Sequence, residues 1–120
     1  MALDSAKSIL DLEDRKKAVP FHVKAWGQDV FLRDPSAADR DEWEVYAAEN
    51  RGKSVPWRAK LAQVLLCDEN GERLFTAADV SKLAGKNAAA LHEIWERGLE
   101  LMTVTEEEIE AIEGESDATR

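Results

Sequence analysis

The sequence predicts an α+β domain in which a β-hairpin precedes a bundle of about five short helices, with a tight turn in the middle. Three observations carry this. The chain has 120 residues, 44% apolar and 34% charged, enough for one core without metal or disulfide support. Apolar residues alternate with period two around Gly27 and then change to spacings of three and four after Ser36. From Ser36 onward the same helix-start grammar, a hydroxyl residue with an acid three places on, recurs three times.

The first element is the weakest. Residues 4 to 17 can form a short helix on Ile9, Leu10 and Leu12, but the segment is charged and residues 1–19 read as an N-terminal arm. Pro20 opens FHVKAWGQDVFLR, where Phe21 and Val23 alternate with His22 and Lys24, and Val30 and Leu32 with Phe31 and Arg33. This is a hairpin turning at Gly27.

Ser36 caps a helix with Asp39 in the capping-box position, Gly52 ends it, and Trp43, Tyr46 and Ala47 share a face. Pro56 sits where a helix begins, since its missing N–H costs nothing there. Trp57, Leu61, Val64 and Leu65 then line one side, with Ala59, Ala62 and Leu66 opposite. A helix apolar on both sides belongs in the middle of the fold.

Asp68-Glu69-Asn70-Gly71 must reverse the chain, because Asn and Gly tolerate positive φ. Arg73-Leu74-Phe75 is a short extended return, and Arg73 is expected to pair with Asp68 or Glu69 across the reversal. Thr76 with Asp79 forms the second capping box, with Phe75 and Val80 as its staple; Thr105 with Glu108 forms the third, with Val104 and Ile109. Between them Gly85 stops one helix and Asn87 caps the next, whose face is Leu91, Ile94, Trp95, Leu99 and Met102. Gly114 is expected to stop the last helix, with Ile109 and Ile112 buried on the body. The organisation is thus an arm over 1–19, a single α+β domain over 20–114, and a mobile acidic tail over 115–120.

Composition excludes several functions. The formal charge is −9, and residues 105–120 alone hold seven acids against one base. Such a chain repels phosphate backbones, so no nucleic-acid partner is expected. No run approaches the roughly 20 apolar residues that span a bilayer, and Asp4 and Asp11 interrupt the start where a signal peptide would be apolar. No membrane partner is expected, and the location is read as cytoplasmic. One cysteine, Cys67, excludes a disulfide framework.

The candidate chemistry dissolves on inspection. Gly52-Lys53-Ser54 imitates the end of a phosphate loop, but Ala47 stands where its first glycine would be. Asp68 to Gly71 imitates a calcium loop, yet Leu66 would be its first ligand. His92 and Glu96 are two ligands where a metal site needs more. His22 has no nucleophile near it in sequence, and Cys67 reads as a small core residue. The pair of helices around Gly85 has helix-turn-helix proportions, but a second helix opening Asn-Ala-Ala-Ala offers little to base edges. No catalytic, metal or cofactor-binding residue is expected. A small acidic protein-binding module remains, for which Trp26 at the hairpin turn and Val45, Ala48 and Leu66, opposite the tryptophan faces of their helices, are the candidate partner-binding residues.

The order of motifs resembles a known family. AWGQDVFLR, then PSAADRDEWE, then RAKLAQVLLCDENGERLFTAADVSKLAGKNAAALHEIW, and finally TEEEIEAIEG, together roughly residues 20 to 114, are similar to the tail assembly chaperones of long-tailed bacteriophages. The most specific stretch is LCDENGERLF, followed by a capped helix and a Leu-Ala-Gly-Lys break. Two departures stand out: the basic run Arg15-Lys16-Lys17 in the arm, and Gln28-Asp29 where a second hairpin glycine would be unsurprising. The resemblance implies a non-enzymatic chaperone of the host cytoplasm, absent from the finished virion. Its partners would be the tape measure protein, which it keeps soluble, and the major tail tube protein, which it helps to recruit. A general protein-binding adaptor and a helix-turn-helix regulator are the alternative readings.

Overall fold

In the computed structural model, which describes residues 2–118 and the side chains through residue 112, a three-stranded antiparallel sheet packs against a set of short helices. The elements run α1 (Ala6–Leu10), β1 (Val19–Val23), β2 (Gln28–Leu32), α2 (Ala37–Glu49), α3 (Trp57–Leu65), β3 (Leu66–Cys67), a 3-10 turn (Ala77–Asp79), α4 (Val80–Leu83), α5 (Ala88–Leu101) and α6 (Glu106–Ala118). The hairpin-then-helices order is the expected one.

β1 and β2 pair with Val23 opposite Gln28 and Phe21 opposite Val30, which leaves Lys24–Gly27 as the turn and Gly27 at φ +62°. The alternation has its expected consequence: Val23 and Leu32 are fully buried, while Phe21 and Val30 lie half-buried beside them. β3 was not foreseen. The helix after Pro56 stops at Leu65, and Leu66 turns to an extended ψ of 125° so that Leu66 and Cys67 pair with Leu32 and Phe31. Leu66 is therefore a sheet residue at 3% exposure, and the expectation that it forms an outer strip of the helix is corrected.

α3 occupies the centre, with every residue from Ala59 to Leu65 buried. Two of these are polar and both are satisfied. Lys60 Nζ donates to Gln63 Oε1 at 2.9 Å, approaches Glu42 at 3.5 Å and lies over the Tyr46 ring, while Gln63 Nε2 donates to the Phe75 carbonyl. A buried lysine is tolerable only with such partners. Against α3 packs α5, whose Leu91, Ile94, Trp95 and Leu99 form the expected buried face. Their approach is close because Gly98 has no side chain: a Cβ there would stand 2.8 Å from Leu61 Cδ2 and 3.0 Å from Leu65 Cδ1. Trp43 joins the layers, with the Tyr46, Trp57 and Trp95 rings 6.2, 5.9 and 5.6 Å from its own.

The helix starts follow the sequence closely. Ser36 with Asp39 and Thr76 with Asp79 form reciprocal capping boxes, and Asn87 accepts from the Ala90 N–H at 3.0 Å. Thr105 Oγ1 accepts from the Glu108 N–H at 3.2 Å. One expectation for the last helix is corrected: Gly114 does not end it, since α6 runs Glu106–Ala118. Ile109 and Ile112 pack against the core as expected, each partly buried. A single glycine in a helix is a modest cost, about 1 kcal/mol, that the turns on either side can carry. The expected mobility of 115–120 falls on residues whose side chains, or whose whole placement at 119–120, lie outside the described residues.

Candidate protein-binding surface

The surface is built on an ionic anchor that fixes β2, α2 and the central turn relative to one another. Asp39, 3% exposed in the first turn of α2, is its hub. Its Oδ2 accepts from the Ser36 N–H at 3.0 Å and from Arg33 Nε at 3.1 Å, and its Oδ1 accepts from Arg73 Nη2 at 2.8 Å. Burial alone would raise the Asp39 carboxyl, but the Ser36 N–H and the two guanidiniums outweigh it and hold it below its ordinary value of 3.8. Arg73 also reaches Glu42 at 3.0 Å, and Arg33 Nη1 donates to the Gly71 carbonyl at 2.7 Å.

This corrects the expected partner of Arg73. Asp68 is occupied within its own turn, where Oδ1 accepts from the Asn70 and Glu72 N–H groups at 2.8 and 3.0 Å. The turn itself is as expected, with Gly71 at φ +84°. Its confinement was not visible in sequence: the arm crosses so close that a Cβ on Gly71 would stand 2.4 Å from the Lys17 carbonyl oxygen.

On this frame α2 presents two faces. Trp43 points into the core at 2% exposure, whereas Val45 is 55% exposed and Ala48 is exposed one turn further on. Positions i and i+3 are neighbours on a helix surface, so Val45 and Ala48 form a short apolar strip between Asp41, Glu44 and Glu49. Beside it a cleft of about 200 Å³ separates α2 from α6, lined by Trp43, Ala47, Ala48, Trp57, Ala111 and Ile112. Glu44, Arg51 and Glu108 also line it, and Arg40 bonds both acids, Glu44 at 3.0 Å and Glu108 of α6. The indole Nε1 of Trp57, buried at this cleft, has no acceptor among the described residues. The sequence placed Trp57 in the core, and its ring does pack there against Trp43 and Tyr46; its partial exposure and unused donor are visible only in the structure.

Trp26 lies apart from this strip. It is half-buried against the core at the hairpin turn, which Glu93 of α5 ties down by accepting from the Lys24 and Ala25 N–H groups at 2.8 and 3.0 Å. Those two N–H groups hold the Glu93 carboxyl below its ordinary range. Thus the structure groups Val45 with Ala48, leaves Trp26 on the hairpin side, and puts Leu66 in the interior.

The remaining titratable groups are arranged structurally. His22 Nδ1 meets Asp29 Oδ1 at 2.7 Å across the hairpin, and His92 lies between Arg58 Nε at 3.2 Å and Glu96 Oε1 at 3.2 Å. Burial raises the Cys67 thiol, the reverse of what a reactive cysteine needs. Among the described residues there is no group of three or more His, Cys, Asp or Glu able to hold a metal ion, and no helix long and apolar enough to cross a membrane.

Comparison with known proteins gives one family. A family model described as phage tail assembly chaperone matches residues 13–111, from the end of the arm to the middle of α6. No curated protein and no solved structure matches the chain.

Proposed function

Given that the chain belongs to the phage tail assembly chaperone family, we propose that it binds the tape measure protein and keeps it soluble until tail tube subunits polymerise around it. The observation that carries this reading is the family match across the whole folded body, arm end to α6. The family is one of non-catalytic chaperones, and its members imply binding to tail proteins.

A chaperone of this kind must cover apolar helical stripes reversibly and without ATP. An exposed Val45–Ala48 strip next to a shallow cleft with an unused Trp57 donor suits the apolar face of a client helix, held by helix-in-groove contact. Trp26 offers a second, smaller contact on the hairpin side. The strip is short, which favours weak, releasable binding over a permanent complex. The surrounding acids keep a chaperone–client complex soluble, and the place of action is the host cytoplasm, where tails are assembled.

Co-expression tests the proposal. The tape measure protein encoded alongside this chain should move from the insoluble to the soluble fraction when the chain is present and should co-purify with it. A tape measure protein that stays insoluble, or becomes soluble without retaining the chain, would refute the reading.

A further inference from the structure

We propose that the face shared by α2 and α6 takes a cationic amphipathic helix, one whose apolar stripe is bordered by lysines or arginines. This rests on the chaperone reading above and names the class of client segment that the strip selects. The acids of α2 fall into two sets. Asp39, Glu42 and Glu44 are matched within the protein: Asp39 by Arg33 and Arg73, Glu42 by Arg73 and Lys60, and Glu44 by Arg40. Asp41 and Glu49 are exposed and have no ion-pair partner among the described residues. These two stand one turn before and one turn after Val45, the centre of the apolar strip.

Across the cleft α6 repeats the arrangement. Ala111 is exposed in the cleft lining, and Glu107, one turn earlier, is exposed and also lacks an ion-pair partner among the described residues. The bases at the cleft are committed. Arg40 pairs with Glu44 and Glu108, and Arg51 is engaged within the protein. Unmatched negative charge therefore borders an apolar floor on both sides.

Each exposed charge contributes little alone, but several of one sign around an apolar contact discriminate between clients of opposite charge. Asp41 and Glu49 lie roughly 12 Å apart along the axis of α2, so a helix laid along the strip meets them with bases about two turns apart. The sign belongs to this face and does not merely follow the net charge of −9. A groove of about 580 Å³ between the starts of α3 and α5 has Arg58, Lys86 and His92 as its ionisable lining residues, with no acid among them. A cationic helix is repelled there and directed to the α2–α6 face.

Fluorescence anisotropy of two labelled synthetic helical peptides, titrated with the full chain, tests this. Both peptides carry the same leucine and alanine stripe, bordered by lysines in one and by glutamates in the other. The lysine peptide should bind about tenfold or more tighter than the glutamate peptide, and raising salt from about 0.05 to 0.5 M should shrink the difference. Asp41→Lys/Glu49→Lys should reverse the preference, and the milder Asp41→Asn/Glu49→Gln should reduce it. Glu69→Lys/Glu72→Lys, which changes net charge equally at exposed positions of the central turn, should leave the preference in place. A lysine peptide that does not bind, equal binding of the two peptides, or a control pair that shifts the preference as far as the strip pair does would each overturn the proposal. Co-expression separates it from the reading on which it rests. A chain that solubilises tape measure protein but shows no charge preference refutes only the cationic-helix inference. A chain with the preference that leaves tape measure protein insoluble refutes only the client assignment.

Discussion

Arg73 Nη2 lies 2.8 Å from Asp39 Oδ1, an ion pair that joins the return from the central turn to the first turn of α2. Asp39 also pairs with Arg33 at the end of β2, so the turn, the sheet and the helix carrying the exposed strip are tied at one carboxylate. Asp39→Ala should destabilise the protein by about 3 to 5 kcal/mol, because it takes from Arg33 its carboxylate partner and leaves Arg73 with Glu42 alone. Arg73→Met should cost less, since Arg33 still pairs with Asp39 at 3.1 Å. Denaturant titration of both variants checks the order.

The same carboxylate makes stability depend on pH. Its folded value is depressed below the ordinary 3.8, so its contribution is fully present above that value and is lost as pH falls through it toward the folded one. Acid unfolding should therefore show a loss of stability below about pH 4 that Asp39→Asn largely abolishes. An unchanged acid profile in that variant would place the titration elsewhere.

Gly71 meets two demands together, a positive φ and the passage of the Lys17 carbonyl. Gly71→Val should cost on the order of 1 to 3 kcal/mol from strain alone, and more because a backbone carbonyl cannot swing away as a side-chain end can. A melting temperature matching the parent would contradict this.

Gly98 tests the central packing. Leu61 and Leu65, which a Cβ there would meet, are fully buried and have little room to turn. Gly98→Val should destabilise by about 1 to 3 kcal/mol through overpacking, despite valine's better helix propensity, and thermal unfolding measures it.

Glu93→Ala should loosen the hairpin turn without unfolding the body, because it frees the Lys24 and Ala25 N–H groups. Hydrogen exchange should accelerate at residues 24 and 25 and stay unchanged in α3.

What the sequence made legible was local. Ser36 and Asp39, Thr76 and Asp79, or Thr105 and Glu108 are three residues apart, so the capping chemistry could be read directly, as could the positive φ of Gly71. Relationships across the chain were not legible. Arg73 was expected to take the nearest acids, but the Asp68 side chain is committed to its own turn, and the available carboxylates come from α2, 31 and 34 residues back. Glu93 and the hairpin it holds are 68 and 69 residues apart. Leu66 fitted a helical face by spacing, yet two residues of pairing with β2 decided its conformation, and two residues carry no period. Of the surface, Val45 and Ala48 followed from the face opposite Trp43, whereas the cleft beside them and the unused Trp57 donor depend on where α6 lies.

The most direct measurement of the chaperone reading is binding of the full chain to tape measure protein, compared with Val45→Asp/Ala48→Asp. Both positions are exposed, so the variant should fold and melt like the parent. The reading predicts that this folded variant loses client retention and no longer keeps the client soluble. Undiminished binding and solubilisation by it would contradict the assignment of α2 as the client surface.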